Sequence, residues 1–274
     1  MLETWEAQRL EHVLSSGRTR PLVVECSRSD TLVTDEDTQA SRDLKGSSLF
    51  VVKGFDLPEI TNFGLFSEVF GNQLARSLGI DTPAPCLAHL SIPFVEAANF
   101  VLGREKLLLK PGIASGCEYF RGYSNVSTQY LSSDELEQAI KIYGFDLLVQ
   151  NPDRTTVRPN CATRSRRFKA FDFEMAFSFV RSISIGPPDH PWEVSKHGFG
   201  PKHLFYSELV RKKRELDWKP VIQSVAGITG DRIDAMIEGL PQDWLEHASR
   251  VRAHLLEVAK NAHKFELELQ RSLV

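Results

Sequence analysis

Three polar residues in the segment FDLLVQNPDRTTVRPN and in the AFDFE that follows could together bind a metal ion and orient a hydroxyl group. Asp153 follows a proline in a loop, Asn160 comes seven residues later, and Asp172 ends a short apolar run. Carboxylate and amide oxygens are the ligands that Mg²⁺ prefers, and a loop aspartate can position an attacking hydroxyl. Each residue alone is better explained as a turn residue or a strand end. Their occurrence together in this order favours a site.

A lysine and a glutamate earlier in the chain form a second candidate pair. Lys53 ends the apolar run LFVVK, and Glu68 lies on the predicted helix that follows. Several phosphoryl-transfer enzymes use a lysine on a strand and a glutamate on the next helix to hold nucleotide phosphates. Taken alone, the pair is more typical of an exposed surface ion pair, which contributes little to stability.

The segments around Lys53 and Glu68 predict a small sheet with one helix. The start, MLETWEAQRLEHVL, predicts an amphipathic helix, and Phe66, Val69, Leu74 and Leu78 recur at the spacing of a second helix that ends at Gly79. Residues near 94–100 predict a link to the rest of the chain. Strands are predicted for four β-branched or apolar runs: RPLVVECS, SSLFVVKGF, CLAHLSI and EKLLLKPG.

The second part of the chain predicts one hairpin among helices. Ser132 and Glu135 have the spacing of a capping box, which predicts a helix that runs up to Asn151. The segment CATRSRRFKAFDF predicts a hairpin with a basic turn. The last predicted helix has one apolar face, which we expect to pack on the domain rather than pair with a partner. That face consists of Ala248, Val251, Leu255, Val258, Ala262, Phe265 and Leu269.

Composition excludes several classes of protein. The 274 residues carry a net charge of -3 and are 42% hydrophobic, which is typical of a globular protein and argues against a dedicated nucleic-acid binder. The four cysteines form no CxxC pair, so we expect free thiols and a cytoplasmic location. The acidic start does not fit a signal peptide, and no window approaches eighteen apolar residues. The histidines show no HExxH spacing, and no G-x-S-x-G occurs.

Four motifs together resemble the HipA-like kinase family, in particular its compact stand-alone branch. The likeness spans residues 20 to about 180 and implies a fold related to protein kinases and phosphoinositide kinases. It implies that Lys53 binds the α- and β-phosphates of ATP, with Glu68 orienting it. The motifs are LFVVK, SEVFGNQLARSLGIDTPAP, FDLLVQNPDRTTVRPN and AFDFEMAF.

The same resemblance implies roles for the residues around Asp153. Asp153 would be the catalytic base, and Arg154 fills the position of the arginine that often follows it in this branch. Asn160 would be a magnesium ligand, and Asp172 the main metal-binding aspartate, in the place that DFG occupies in protein kinases. The implied cofactors are therefore ATP and Mg²⁺.

The chain departs from the kinase pattern at two places. Kinase catalytic loops usually place a metal-binding Asn five residues after the catalytic Asp, and that position here is Arg158. Either Asn160 serves as the ligand or the metal site is impaired, because a guanidinium cannot ligate magnesium, although it can contact a phosphate. No GxGxxG precedes Lys53, so the polar loop 27–48, with Gly46, is the predicted phosphate-covering element.

These observations predict an α+β, two-lobed, protein-kinase-like fold. A small N-terminal lobe of sheet and helix would span residues 1–95, and a larger, mainly helical lobe residues 96–274, with ATP in the cleft between them. The predicted reaction is transfer of the γ-phosphate of Mg-ATP to a serine or threonine hydroxyl of an unidentified protein. Because the family includes toxins, an antitoxin is a candidate partner. The alternatives are a non-catalytic binding module of kinase fold, and a small-molecule or lipid-headgroup kinase.

Overall fold

The computed structural model describes residues 2–14, 19–28, 47–54, 60–103, 109–181 and 190–274. The fold is mixed α/β and divides into two compact units. The first comprises Met1–Val69 and Pro83–Phe120, and the second Phe70–Thr82 and Arg121–Val274. The division into two lobes with a boundary at residue 95 remains a prediction. In these described ranges no helix has both the length and the apolar character needed to cross a membrane.

The first unit is built on a closed five-stranded barrel. The strand order is β1-β2-β3-β5-β4, and the parallel pairing of β1 with β4 closes it. All other neighbouring strands in the barrel are antiparallel. The strands are β1 (Thr4–Val13), β2 (Leu22–Arg28), β3 (Ser48–Lys53), β4 (Pro85–Leu90) and β5 (Gly112–Glu118).

Strand β1 corrects the prediction of an opening helix. Its pairing with β2 shifts register between Ala7 and Arg9 and again between Leu10 and His12. Each shift inserts an extra residue, so the alternation of apolar and polar residues expected for a strand is broken twice. The interrupted pattern resembles helical spacing, and the prediction was therefore wrong.

The predicted strands in β2, β3 and β4 are confirmed, and their alternate side chains fill the barrel. Leu22, Val24 and Cys26 of β2 and Phe50 and Val52 of β3 belong to one buried cluster. The first half of the predicted strand EKLLLKPG, residues 105–108, lies outside the described residues, as does most of the predicted phosphate-covering loop 27–48, and residues 109–111 are not in a strand. Strand β5 begins at Gly112.

Two helices accompany the barrel strands along the chain. Helix α1 (Asn62–Ser77) confirms the prediction and stops before Gly79, whose φ of 81° is the left-handed conformation typical of a helix end. Helix α2 (Ile92–Leu102) lies where a linker was predicted. The Ser91 hydroxyl accepts a hydrogen bond from the Phe94 amide and starts α2. Phe94, Val95 and Ala98 of α2 are buried in the barrel cluster, at a helical spacing that the prediction of a linker overlooked.

The second unit contains the predicted capped helix and hairpin. Helix α3 (Ser133–Leu148) begins with a capping box, in which the Ser132 amide donates to the Glu135 carboxylate at 2.9 Å and the Glu135 amide donates to the Ser132 hydroxyl. Strands β7 (Cys161–Arg164) and β8 (Arg167–Ala170) form the hairpin, and the short β6 (Ser124–Asn125) pairs with β7. Both turn residues between β7 and β8 have positive φ, as in a tight two-residue turn.

The remainder of the second unit is mainly helical, as predicted. The predicted last helix is two helices that meet at Asn261, so that prediction was wrong in its extent. All seven residues of its apolar face are nevertheless buried, which confirms that this face packs within the protein. The helices are α4 (Ser178–Arg181), α5 (Tyr206–Arg211), α6 (Lys219–Ala226), α7 (Gly230–Ile237), α8 (Ala248–Lys260) and α9 (Ala262–Arg271).

Candidate active site

Lys53 and Glu68 form a buried ion pair in the first unit. Val52 points into the barrel, so the alternation of the strand turns Lys53 to the outer face. There the Lys53 ammonium lies 2.9 Å from the Glu68 carboxylate on α1, and both side chains are less than one-tenth exposed. The pair is therefore unlike the exposed surface pairs that contribute little. A buried ammonium held by a carboxylate is oriented in the way that a phosphate-binding lysine requires.

The loop that carries Asp153 is anchored on a carboxylate inside the second unit. Asp146, near the end of α3, has a side chain that is 1% exposed. It accepts hydrogen bonds from Arg154 Nε at 2.6 Å, from His203 Nε2 at 3.0 Å and from Asn151 Nδ2 at 3.1 Å. Burial alone would raise the pKa of Asp146, but the Arg154 guanidinium and the His203 bond outweigh burial and lower it. Asp146 is therefore ionised.

The tautomer of His203 follows from its two contacts. The backbone amide of Phe205 donates to His203 Nδ1 at 3.1 Å, so in the neutral ring the proton is on Nε2 and is donated to Asp146. Burial lowers the pKa of His203, and the nearby Asp146 carboxylate opposes this shift only in part. His203 is thus a neutral donor that holds the carboxylate.

Arg154 connects the loop that carries Asp153 to the segment that carries Asp172. Its side chain is fully buried, and besides Asp146 it donates to the backbone carbonyls of Asn160 and, at 3.1 Å, of Phe171. The guanidinium also lies 5.2 Å from the centre of the Phe173 ring. These contacts give Arg154 a positioning role. As a residue that acts on substrate, it stays a prediction.

The Asp153 carboxylate is half-buried between two donors. Arg158 Nη1 donates to Oδ1 at 2.9 Å, and Asn160 Nδ2 donates to Oδ2 at 3.3 Å. The backbone amide of Asp153 donates to the side chain of Asn151 at 3.2 Å. The carboxylate is thus held in one orientation while part of it faces solvent.

Asn160 and Asp172 lie on adjacent backbone segments. The amide of Phe171, the residue before Asp172, donates to the Asn160 carbonyl at 3.0 Å. Both residues have positive φ, 41° for Asn160 and 61° for Asp172, which is uncommon outside glycine and costs energy that the surrounding structure must supply. Such strained residues cluster at functional sites. The structure therefore brings Asp153, Asn160 and Asp172 together in the second unit, whereas Lys53 and Glu68 belong to the first.

The residues present fit a magnesium ion. Asn160 and Asp172 offer an amide and a carboxylate oxygen, both hard ligands, and Mg²⁺ at phosphate-transfer sites takes most of its other ligands from water and phosphates. In the described ranges no cluster of three or more His, Cys, Asp or Glu residues could hold a metal.

Sequence reading missed Asp146, His203 and Asn151. The signal for Asp146 was present, because it is an acidic residue inside the otherwise apolar run FDLLV of a predicted helix. A carboxylate at a buried helical position needs partners. His203 lies 57 residues after Asp146 in an irregular segment, and no sequence spacing connects the two.

A separate cavity of about 810 Å³ lies elsewhere in the second unit. Its lining comes from the segment after α1, from one side of α3 and from the β7–β8 hairpin. None of the six predicted site residues borders it, and its acidic and basic side chains are equal in number. It gives no indication of a nucleotide.

A family model described as HipA-like kinase matches residues 43–271 of the chain. The chain belongs to the HipA-like kinase family. In this HipA-like kinase the match covers all six predicted site residues and extends through the C-terminal helices, well beyond the 20–180 region on which the resemblance rested. Membership supports a kinase-type phosphotransferase.

Two further comparisons add little to the family assignment. No curated protein matches this HipA-like kinase. Among solved structures it is similar to the crystal structure of the Helicobacter pylori proinflammatory kinase CtkA, with 12% sequence identity over 98% of this chain and 99% of that chain and a TM-score of 0.48.

Proposed function

We propose that the protein transfers the γ-phosphate of Mg-ATP to a serine or threonine hydroxyl of another protein. The observation that carries the proposal is the grouping of Asp153, Asn160 and Asp172 on two segments that Arg154 ties together. A half-buried carboxylate beside two hard oxygen donors is the arrangement that phosphoryl transfer requires. The family assignment independently favours the same class of reaction.

Different residues would bind the nucleotide and accept the proton during transfer. Lys53, held by Glu68, would donate to the α- and β-phosphates. Asn160 and Asp172 would hold Mg²⁺, which when bound supplies positive charge to the phosphates. Asp153 would accept a hydrogen bond from the acceptor hydroxyl and take its proton as the hydroxyl oxygen bonds to the γ-phosphorus. Most of the rate enhancement would come from positioning and charge stabilisation.

The buried network around Asp146 would serve this chemistry indirectly. Asp153 can orient a hydroxyl only if its loop keeps one conformation, and Arg154 fixes that loop to the segment before Asp172. The proposed setting is the cytoplasm. A toxin-type role with an antitoxin partner is part of the same proposal and rests on the resemblance alone.

Calorimetric titration tests the nucleotide site directly. ATP is titrated into the wild-type protein with and without Mg²⁺, and the titration is repeated on Asp172→Asn. The matched control is Asp231→Asn, the same change at an exposed position of α7. We expect magnesium-dependent binding that Asp172→Asn abolishes and Asp231→Asn preserves. Absence of ATP binding in both conditions would refute the proposal.

A second candidate function is a kinase fold that binds a partner without transferring phosphate. Arg158 favours it, because this residue stands where kinases usually carry a metal-binding Asn and pairs with Asp153. Incubation with ATP labelled in the γ-phosphate and a mixture of cell proteins separates the two candidates. Labelled protein that Asp153→Ala eliminates supports transfer, and nucleotide binding without any label or hydrolysis supports the second candidate.

A further inference from the structure

Arg158 is the basic residue that contacts the proposed base. Its Nη1 lies 2.9 Å from Asp153 Oδ1, and its side chain is 51% exposed. In the described part of the chain, Arg158 Nε and Nη2 make no hydrogen bond. The guanidinium is therefore engaged by Asp153 through Nη1, while about half of the Arg158 side chain is exposed to solvent.

The backbone holds Arg158 in place. The Thr155 amide donates to the Arg158 carbonyl at 2.8 Å, and the Arg158 amide donates to the Thr155 hydroxyl at 3.1 Å. Pro159 follows and restricts the backbone conformation of Arg158. Because Asn160 binds the other oxygen of Asp153, the guanidinium, the carboxylate and the amide form one ordered row.

We propose that Arg158 is a further catalytic residue, whose guanidinium donates to the oxygens of the γ-phosphoryl group during transfer. This inference rests on the proposed function. An acceptor oxygen that gives its proton to Asp153 must lie about 3 Å from that carboxylate, and the γ-phosphorus about 3–3.5 Å from the acceptor oxygen. A guanidinium bonded to the same carboxylate is within reach of the γ-phosphoryl oxygens. Its planar fork of donors matches phosphate geometry.

The transfer step does not change the protonation state of Arg158. The acceptor oxygen forms a bond to the γ-phosphorus as the bond from that phosphorus to the bridging oxygen breaks. The electron pair of the broken bond stays on ADP, and the acceptor proton goes to Asp153. Arg158 keeps its protons throughout, since an arginine is always charged in proteins, and stabilises the negative charge on the phosphoryl oxygens.

This role gives a reason for the exchange of asparagine for arginine. In protein kinases the Asn at this position holds a second magnesium ion, which neutralises charge on the phosphates. A guanidinium at the same position cannot bind that ion, but it carries positive charge itself. We therefore expect the substitution Arg158→Asn to impair transfer in this chain, although asparagine is the usual residue in kinases.

Binding of a transition-state analogue tests the inference apart from turnover. The ligands are ADP with Mg²⁺ and aluminium fluoride, which mimics the transferring phosphoryl group, and a non-hydrolysable ATP analogue with Mg²⁺. Calorimetry on wild type, Arg158→Ala, Arg158→Lys and Arg158→Asn gives both affinities. The control is Arg250→Ala, at an exposed position of α8.

We expect Arg158→Ala and Arg158→Asn to weaken binding of the aluminium fluoride complex about 10²–10³-fold, the usual effect of removing one transition-state donor. Binding of the ATP analogue should change only a few-fold, and Arg250→Ala should change neither affinity. Arg158→Lys should retain part of the preference for the aluminium fluoride complex over the ATP analogue, because lysine keeps the positive charge. Added guanidinium chloride should restore ATP hydrolysis to Arg158→Ala and not to Asp153→Ala.

Two results would overturn the inference while leaving the proposed function intact. One is wild-type affinity of Arg158→Ala for the aluminium fluoride complex, and the other is an Arg158→Asn variant that binds it better than wild type does. If the wild-type protein binds neither ligand, the proposed function fails and this inference fails with it. The wild-type titration thus separates the two failures.

Discussion

Removal of Arg154 should destabilise the second unit, and the structure allows the size of the effect to be estimated. Arg154→Met keeps an unbranched side chain against Phe173 but leaves the Asp146 carboxylate without its cation. Breaking a buried ion pair by removing one partner typically costs about 3–5 kcal/mol of unfolding free energy. The lower end applies here, about 3 kcal/mol, because His203 and Asn151 still donate to Asp146.

Urea unfolding followed by tryptophan fluorescence measures this effect, since Trp218 and Trp244 are buried in the second unit. With a slope of about 2 kcal/mol per molar urea, a loss of about 3 kcal/mol lowers the midpoint by about 1.5 M. The matched control is Arg252→Met. Arg252 donates through Nε and Nη2 to Asp234, as Arg154 does to Asp146, but on the surface, so the midpoint of Arg252→Met should hardly change.

A midpoint for Arg154→Met as close to wild type as that of Arg252→Met would refute the reasoning. It would mean that the Asp146 carboxylate is solvated, or that His203 and Asn151 stabilise it without Arg154. An unchanged midpoint with a changed slope would instead indicate an altered unfolded state, and would equally contradict the estimate.

Three further predictions concern other parts of the molecule. Lys53→Met should reduce ATP turnover by at least about 10²-fold, measured as release of labelled phosphate, because the buried ammonium is the proposed phosphate donor of the first unit; retention of activity would contradict that role. Because burial holds the pKa of His203 below its ordinary value of 6.5, the unfolded chain takes up a proton first as the pH falls. The stability present above pH 6.5 is therefore lost progressively below it, and His203→Gln should flatten urea midpoints measured between pH 7 and pH 5; an unchanged pH profile would count against this assignment. Gly71→Ala places a methyl group 3.0 Å from the Phe173 Cβ, which is fixed to the backbone. We expect a loss of about 1–3 kcal/mol in the same urea assay, and a gain, as helix propensity alone would give, would show that Phe173 is not packed against α1.

Local sequence signals predicted the elements whose conformation depends only on residues close together in the chain. The capping box of α3, the tight turn of the β7–β8 hairpin and the glycine after α1 each depend on residues close in sequence. Strand β1 was predicted wrongly because its two register shifts are imposed by pairing with β2, a contact that periodicity does not contain. The break at Asn261 between α8 and α9 was missed because the apolar spacing continues across it; there the Asn261 side-chain amide donates to the carbonyl and the carboxylate of Glu257.

The residues of the candidate site were likewise predictable only in part. Asp153, Asn160 and Asp172 were predictable because their types and order match one chemistry, and Lys53 and Glu68 because a strand and the next helix present them. The positioning residues were not predictable as a set. His203 lies beside the candidate site because its segment pairs with the loop that carries Asp153, where the Leu204 amide donates to the Arg154 carbonyl.

The closure of the barrel by β1 has a consequence for any shortened version of the protein. The family match begins at residue 43, so a fragment chosen from it would omit both β1 and β2. The three strands left, in the order β3-β5-β4, would form an open sheet with two unpaired edges and an uncovered apolar face. Such edges are templates for strand addition between molecules. A fragment of residues 43–274 should therefore aggregate, and the first strands belong in every expression design.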